Sequence, residues 1–258
     1  MTSVVARPRR ADVGIEEVAS ILYVGNSFLS FNNGIGWHVS QMHASIRPQR
    51  CLRATSAIIT GGALDWHDVE SYFRPNAIGS YSFDEANNVV FNHFSQLFDV
   101  VLMMDSSQGP LHPELKAAFQ VSARKHSGTV RRHGARPAFL MTWAYEDRPE
   151  MTGALAEAYT AAGNDNDALV IPVGLAFAAA LAVRPDLRLH MDDRRHPTLA
   201  GTYLAACTVH AALLRRSPVG LGYSAGLDAA TVALLQEIAL DTVERYYGYG
   251  GGAASSDP

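Results

Sequence analysis

The chain has 258 residues, 48% of them hydrophobic and 18% charged, with a formal charge of −4. That length suits one large α/β domain with a covered core, and the mild negative charge speaks against nucleic acid or an anionic membrane as partner. The most apolar stretch, 168–183, is too short to span a bilayer and is interrupted by Pro172 and Gly174; Arg9-Arg10 precedes Ala-Asp-Val-Gly-Ile-Glu-Glu and no apolar export core, so a cytoplasmic location is expected.

Residues 1–17 read as a flexible N-terminal segment, 18–247 as a single domain, and 248–258, rich in Gly, Ala and Ser, as a disordered tail. Five short apolar runs predict strands at 20–24, 52–60, 99–104, 138–142 and 168–173. Several are continuous and not alternating, as in strands buried on both faces. Helical segments are expected at 38–46, 86–98, 113–132 and 151–162, the last closed by Gly163-Asn164. Two more follow, one from Pro197 to about residue 215 and one over 228–246. Strands alternating with helices predict a parallel sheet with helices on both faces. Ligands of such sheets bind outside the carboxyl ends of the strands, which is where Ser27 falls. The irregular excursion 65–92 is long enough to form a wall over that edge.

Two segments at opposite ends carry chemistry. Gly25-Asn26-Ser27 ends the first apolar run in a turn that can present a hydroxyl at the mouth of the sheet. Asp193-Arg194-Arg195-His196-Pro197 places a carboxylate three residues before a histidine, ahead of a helix. Serine is a poor nucleophile at neutral pH and needs a base. Histidine is the usual base, and a carboxylate fixes its tautomer and stabilises its charged form. Asp193 is the carboxylate placed to support His196, with Asp192 as its competitor. Such a reaction also needs donors aimed at the developing oxyanion. The Ser27 N–H is one, and Gly61-Gly62 allows the close backbone approach needed for another. The loop 105–109 offers a side-chain donor, Gln108 being its amide. A base that must be neutral makes activity rise as pH climbs from acid toward neutrality.

Other residues read more plainly. Cys51 and Cys207 lack any Cys-x-x-Cys spacing and are expected to be reduced, buried thiols. His67, beside Trp66, is either a pocket wall or a core histidine. His190 with Asp192, Asp193 and His196 has the composition of a metal cluster, but the last two serve better as a catalytic pair, so neither metal nor cofactor is expected. The Gly-rich run 248–252 has no strand before it and no helix after it, so it is no phosphate loop.

With these residues the chain resembles the SGNH (GDSL-like) hydrolases. Gly25-Asn26-Ser27 resembles the family's first block, with Asn in place of Asp. Gly61-Gly62 matches the second, and Asp193-x-x-His196-Pro197 with Gly201 matches the last. The third block departs: the expected Asn is missing from Met103-Met104-Asp105-Ser106-Ser107-Gln108, and Gln108, Ser106 or Ser107 would have to replace it. The resemblance implies a flavodoxin-like three-layer α/β/α sandwich with a five-stranded parallel sheet. It implies hydrolysis of a small carboxylic ester without a metal, O-acetyl groups on a carbohydrate being one candidate. Ser27 would be the nucleophile, His196 the base and Asp193 its support. An acyltransferase using the same triad and a catalytically decayed binding module are the alternatives. The expected partner is a small-molecule ester.

Overall fold

The structure is a computed structural model and describes residues 7–249. The described residues form seven strands: β1 (Ser20–Gly25), β2 (Arg53–Ile58), β3 (Tyr81–Phe83), β4 (Val89–Phe91), β5 (Val100–Met103), β6 (Arg136–Leu140) and β7 (Leu169–Ile171). Five of them make one all-parallel sheet in the order β2-β1-β5-β6-β7. β1, β5 and β7 are buried at every position, as their unbroken apolar runs require of strands covered on both faces. β2, one of the two edge strands, alternates between exposed and covered positions.

The helices are α1 (Ser27–Ser30), α2 (Ile35–Ile46), α3 (Lys116–Arg132), α4 (Met151–Asp165), α5 (Val173–Val183), α6 (Leu199–Leu213) and α7 (Ala229–Tyr247). α3 and α4 cover one face of the sheet; α2 and α6 pack together over the other, with α5 and α7 against α6. α6 is apolar all round and buried beyond its first residue, as a helix enclosed by neighbours must be. This is the flavodoxin-like three-layer sandwich. The chain leaves β1 for β2 on one side and returns to β5 on the other. That reversal opens a crevice at the carboxyl ends of β1 and β5, and Ser27 lies two residues beyond β1.

The excursion 65–92 departs from expectation in both form and place. No helix forms over 86–98. β3 and β4 instead pair as an antiparallel hairpin, because Val89-Val90-Phe91 favours a pleated strand. Asp84 closes the turn by accepting from Ala86 N and Asn88 N, and Asn87 takes a positive φ of 62°. Two 3₁₀ turns, Leu64–Trp66 and Val69–Phe73, lead the chain down beside α3, where Glu70 meets Arg132 and His133 at the end of that helix. The hairpin therefore emerges at the amino end of the sheet. Gly79 rests on Thr55 and Phe98 there, and the Arg53 guanidinium lies 3.9 Å from the Phe94 ring centre. It is not a wall over Ser27.

Smaller differences have local causes. α4 continues past Gly163 to Asp165; that glycine serves packing, since a Cβ on it would stand 2.2 Å from the Val170 side chain. The last strand stops at Ile171, and the apolar run goes on as α5 after Pro172, a helix the sequence pattern hid. α6 starts after Thr198, whose hydroxyl accepts from Gly201 N, and not at Pro197. Cys51 is exposed in the turn before β2, contrary to expectation, while Cys207 is buried; both are free. Residues 7–17, read as part of a flexible N-terminal segment, lie against the domain: Val13 is buried and Arg10 pairs with Asp167. Residues 1–6 of that segment and 250–258 of the expected tail lie outside the described residues. Among the described residues no helix is long and apolar enough to cross a membrane.

Candidate active site

The site begins with Gly25, the last residue of β1. A Cβ here would stand 2.5 Å from Met104 Cγ and 2.9 Å from Leu29 Cδ1, so only glycine lets the chain turn under β5. Asn26 follows in extended conformation and caps α1, its Oδ1 accepting from Phe28 N at 3.1 Å. Its amide nitrogen donates to Gly62 O at 3.0 Å and to Asp105 O at 3.3 Å. One buried side chain thus ties together the loops after β1, β2 and β5. A carboxylate in its place could accept from Phe28 but could not donate to two carbonyls.

Ser27 Oγ lies 2.8 Å from His196 Nε2. His196 Nδ1 meets Asp193 Oδ2, and Asp193 Oδ1 accepts from the backbone N–H groups of Arg195 at 2.9 Å and His196 at 3.0 Å. Asp192 instead pairs with Arg188. Partial burial works against ionising Asp193, but the hydrogen bonds from His196 and these N–H groups win, and its carboxyl is lowered to about 2. The loop is held on both sides. Met191 N donates to His196 O, Glu146 N to Arg194 O, and Trp143 Nε1 to Arg195 O, each within 2.8–3.0 Å. Arg194 supplies the left-handed residue of the turn, with φ 63°. Phe31 stacks on the His196 ring at 4.3 Å, and Phe28, itself stacked on Trp143, meets it edge-on at 5.3 Å. These contacts fix the imidazole plane.

The candidate oxyanion donors differ in what they are already doing. Among the described residues no acceptor engages the Ser27 N–H or the Gly61 N–H. The Gly62 N–H donates to Ile59 O at 2.9 Å and closes a turn in which Gly61 has φ 71°. Gln108 sits half-buried on the loop after β5; its carbonyl accepts from Leu111 N and His112 N, and its side chain has no hydrogen-bond partner among the described residues.

Asp105 occupies the start of the departing third block and is buried. Its Oδ1 accepts from Leu64 N at 2.7 Å, just beyond the glycine pair. Burial pushes its carboxyl up, against the opposing effect of the Leu64 and Ser106 N–H groups. Gly109 makes room for it, since a Cβ there would be 2.2 Å from Asp105 Oδ2. His67 is a core histidine: Nε2 lies 3.0 Å from Gly25 O and Nδ1 2.8 Å from Tyr72 OH, and burial lowers its pKa. His190 likewise turns inward, with Nε2 3.0 Å from Ala144 O. Among the described residues no His, Cys, Asp or Glu cluster could hold a metal.

Sequence reading missed Asn26 as the tie between loops, and it missed Phe31, Trp143 and Tyr145. The Asn was legible only as a turn residue, because its partners are 36 and 79 residues away. Tyr145 OH lies 2.6 Å from Ser107 Oγ, and the Arg195 guanidinium stands 4.7 Å from the centre of its ring.

No protein-family model matches the chain, and no curated protein matches it by sequence. Solved structures do match in shape. A DUF4886 family protein from Bacteroides uniformis superposes with a TM-score of 0.62 at 18% identity, over 90% of this chain and 96% of its own. A protein of Slackia heliotrinireducens, provisionally assigned as an SGNH hydrolase, gives 0.54 at 21% identity over 76% and 99%. An acetyl xylan esterase, AlAXEase, gives 0.52 at 14% identity over 74% and 97%. The chain has the SGNH/GDSL-like fold.

Proposed function

We propose that the protein is a serine esterase of the SGNH type that hydrolyses a small carboxylic ester through an acyl-enzyme on Ser27. The observation that carries this reading is the unbroken contact from Ser27 Oγ through His196 to Asp193. His196 Nε2 takes the hydroxyl proton as Oγ bonds to the ester carbonyl carbon. The oxygen that gains the negative charge is assigned to the Ser27 N–H, with the Gly61 N–H and the Gln108 amide as further donors. Gly62 N–H joins them only if it leaves Ile59. The imidazolium then returns its proton to the departing alcohol, and water repeats the sequence on the acyl-enzyme. Asp193 keeps the tautomer that presents a bare Nε2 to serine and stabilises the charged ring.

The name of the acetyl xylan esterase neighbour makes an O-acetyl group on a carbohydrate the first substrate to try. The formed serine–histidine contact favours a working nucleophile over a decayed binding module. Labelling with a fluorophosphonate and peptide mass spectrometry provide the test. A covalent adduct on Ser27 that disappears in His196→Ala is expected. A well-folded protein that takes no label, and hydrolyses no short-chain ester, would overturn the proposal.

A further inference from the structure

The segment 188–196, which carries His196, holds three arginines, and two of them are spoken for. Arg188 pairs with Asp192 at 2.6 Å and Arg194 with Asp147 at 3.4 Å. Arg195 has no carboxylate within ion-pair distance, and its guanidinium donates no hydrogen bond, among the described residues. It is nevertheless held in place. Its N–H donates to Asp193, its carbonyl accepts from Trp143, and its guanidinium stacks on the buried Tyr145 ring.

These contacts link into a closed path that passes through Ser27. From Ser27 it runs to His196, to the adjoining Arg195, over Tyr145, through Tyr145 OH to Ser107, along the chain to Asp105, and back through Asn26 to Ser27. The free cation is thus tied, through Tyr145 and Ser107, to the loop after β5 that Asn26 holds beside Ser27. A guanidinium presents a planar fork of donors that matches an oxyanion bidentately, and the aromatic face beneath it fixes its plane.

We infer that Arg195 is a substrate-binding residue that selects esters bearing an anionic group, a carboxylate or a phosphate, close to the scissile bond. This rests on the esterase reading of Ser27 and narrows its substrate class. The anion would take the place that a carboxylate leaves empty in the protein. It would add attraction for the substrate without taking part in bond making, so its effect belongs mainly in KM.

The test compares matched esters. On the alcohol side, para-acetoxybenzoate is set against its methyl ester and against para-acetoxyphenyl phosphate. On the acyl side, the mono-para-nitrophenyl ester of glutaric acid is set against para-nitrophenyl valerate. The expected result is a kcat/KM preference for an anionic member, carried by KM and fading as salt is raised. Arg195→Gln should lower that anionic-to-neutral ratio about tenfold, and Arg195→Lys should restore part of it. A merely structural role would slow both members together and leave the ratio unmoved. The more strongly preferred anion tells carboxylate from phosphate. A wild-type ratio that Arg195→Gln does not change overturns the inference. Should no ester be hydrolysed and Ser27 take no label, the esterase reading fails by itself. Calorimetric titration with para-acetoxybenzoate then decides the anion site: Arg195-dependent binding keeps it, and no binding removes it.

Discussion

The two ends of the parallel sheet are built to different rules. At the carboxyl end, the loops after β1, β2 and β5 are short of regular structure yet tightly cross-linked. Asn26 joins all three, Asp105 grips Leu64, and His67 reaches Gly25. At the amino end, the β3–β4 hairpin stands out from the domain with Tyr81, Phe83, Val89 and Phe91 on one face, all exposed. Polar ties buried among strands hold a geometry to fractions of an ångström. A lone hairpin buries little and holds only itself. The contrast teaches that regular secondary structure does not mark where this molecule is most densely tied; buried polar cross-links do.

The largest effect that would test the contrast is Ser27→Ala. It should reduce ester hydrolysis by about 10⁴-fold or more while the thermal midpoint stays nearly constant. Asp193→Asn should follow, at roughly 10³–10⁴-fold in kcat, because the wrong tautomer would face serine; a loss below tenfold would remove Asp193 from the mechanism.

Asn26→Asp sharpens the comparison by striking the tie and not the chemistry. It keeps the cap on α1 but leaves the carbonyls of Gly62 and Asp105 without their donor and facing a carboxylate. We expect a loss of about 1–3 kcal/mol in urea unfolding together with slower turnover. Activity and stability both unchanged would show that the three loops do not depend on it.

Acidification should weaken the carboxyl end and the α2–α6 layer through buried histidines. His38, His43, His67, His126, His190 and His210 are all lowered, chiefly by burial, with His126 and His210 at about 4. A free histidine titrates near 6.5. Between these values the unfolded chain binds more protons, so stability is full above about pH 6.5 and falls as pH drops toward 4. Asp193 contributes in a different window: lowered to about 2, it stabilises above the ordinary carboxylate range and is lost only as pH falls through that value. Urea midpoints at pH 7.5 and pH 5 would read the histidine effect, and equal midpoints would contradict it. The smallest effect is expected from Tyr81→Ser or Phe83→Ser in the hairpin, within about 0.5 kcal/mol and without change in ester hydrolysis. A large loss of activity there would mean that the amino end communicates with the site.

Much of this was legible in the sequence. The five strands of the sheet could be read because each lies in a short apolar run, and the ends of α2, α3 and α7 were nearly right because capping and periodicity are local. Ser27, Asp193 and His196 could be named because their side-chain chemistry is carried by residue type, and because three residues of spacing bring Asp193 to His196 within one turn. The hairpin was misread as a helix, since Ala86 and the asparagines after it have no strong preference and the deciding partner strand lies across a turn. α5 was hidden because an apolar run broken by a proline reads equally as strand or helix until its neighbours are known.

Residue types and their spacing alone pointed to the parallel sheet and to Ser27, Asp193 and His196 as candidate site residues, for these rest on hydrophobic runs and on short local motifs. Tertiary structure alone decided that Ser27 meets His196 across 169 residues, that Asn26 binds two distant carbonyls, and that Arg195, of the three arginines in 188–196, has no carboxylate partner among the described residues. The first two are hydrogen bonds between groups remote in sequence, and the third follows where Asp147 pairs with Arg194 and not with its neighbour. Such pairs follow from how the layers close on one another, and no local propensity encodes them.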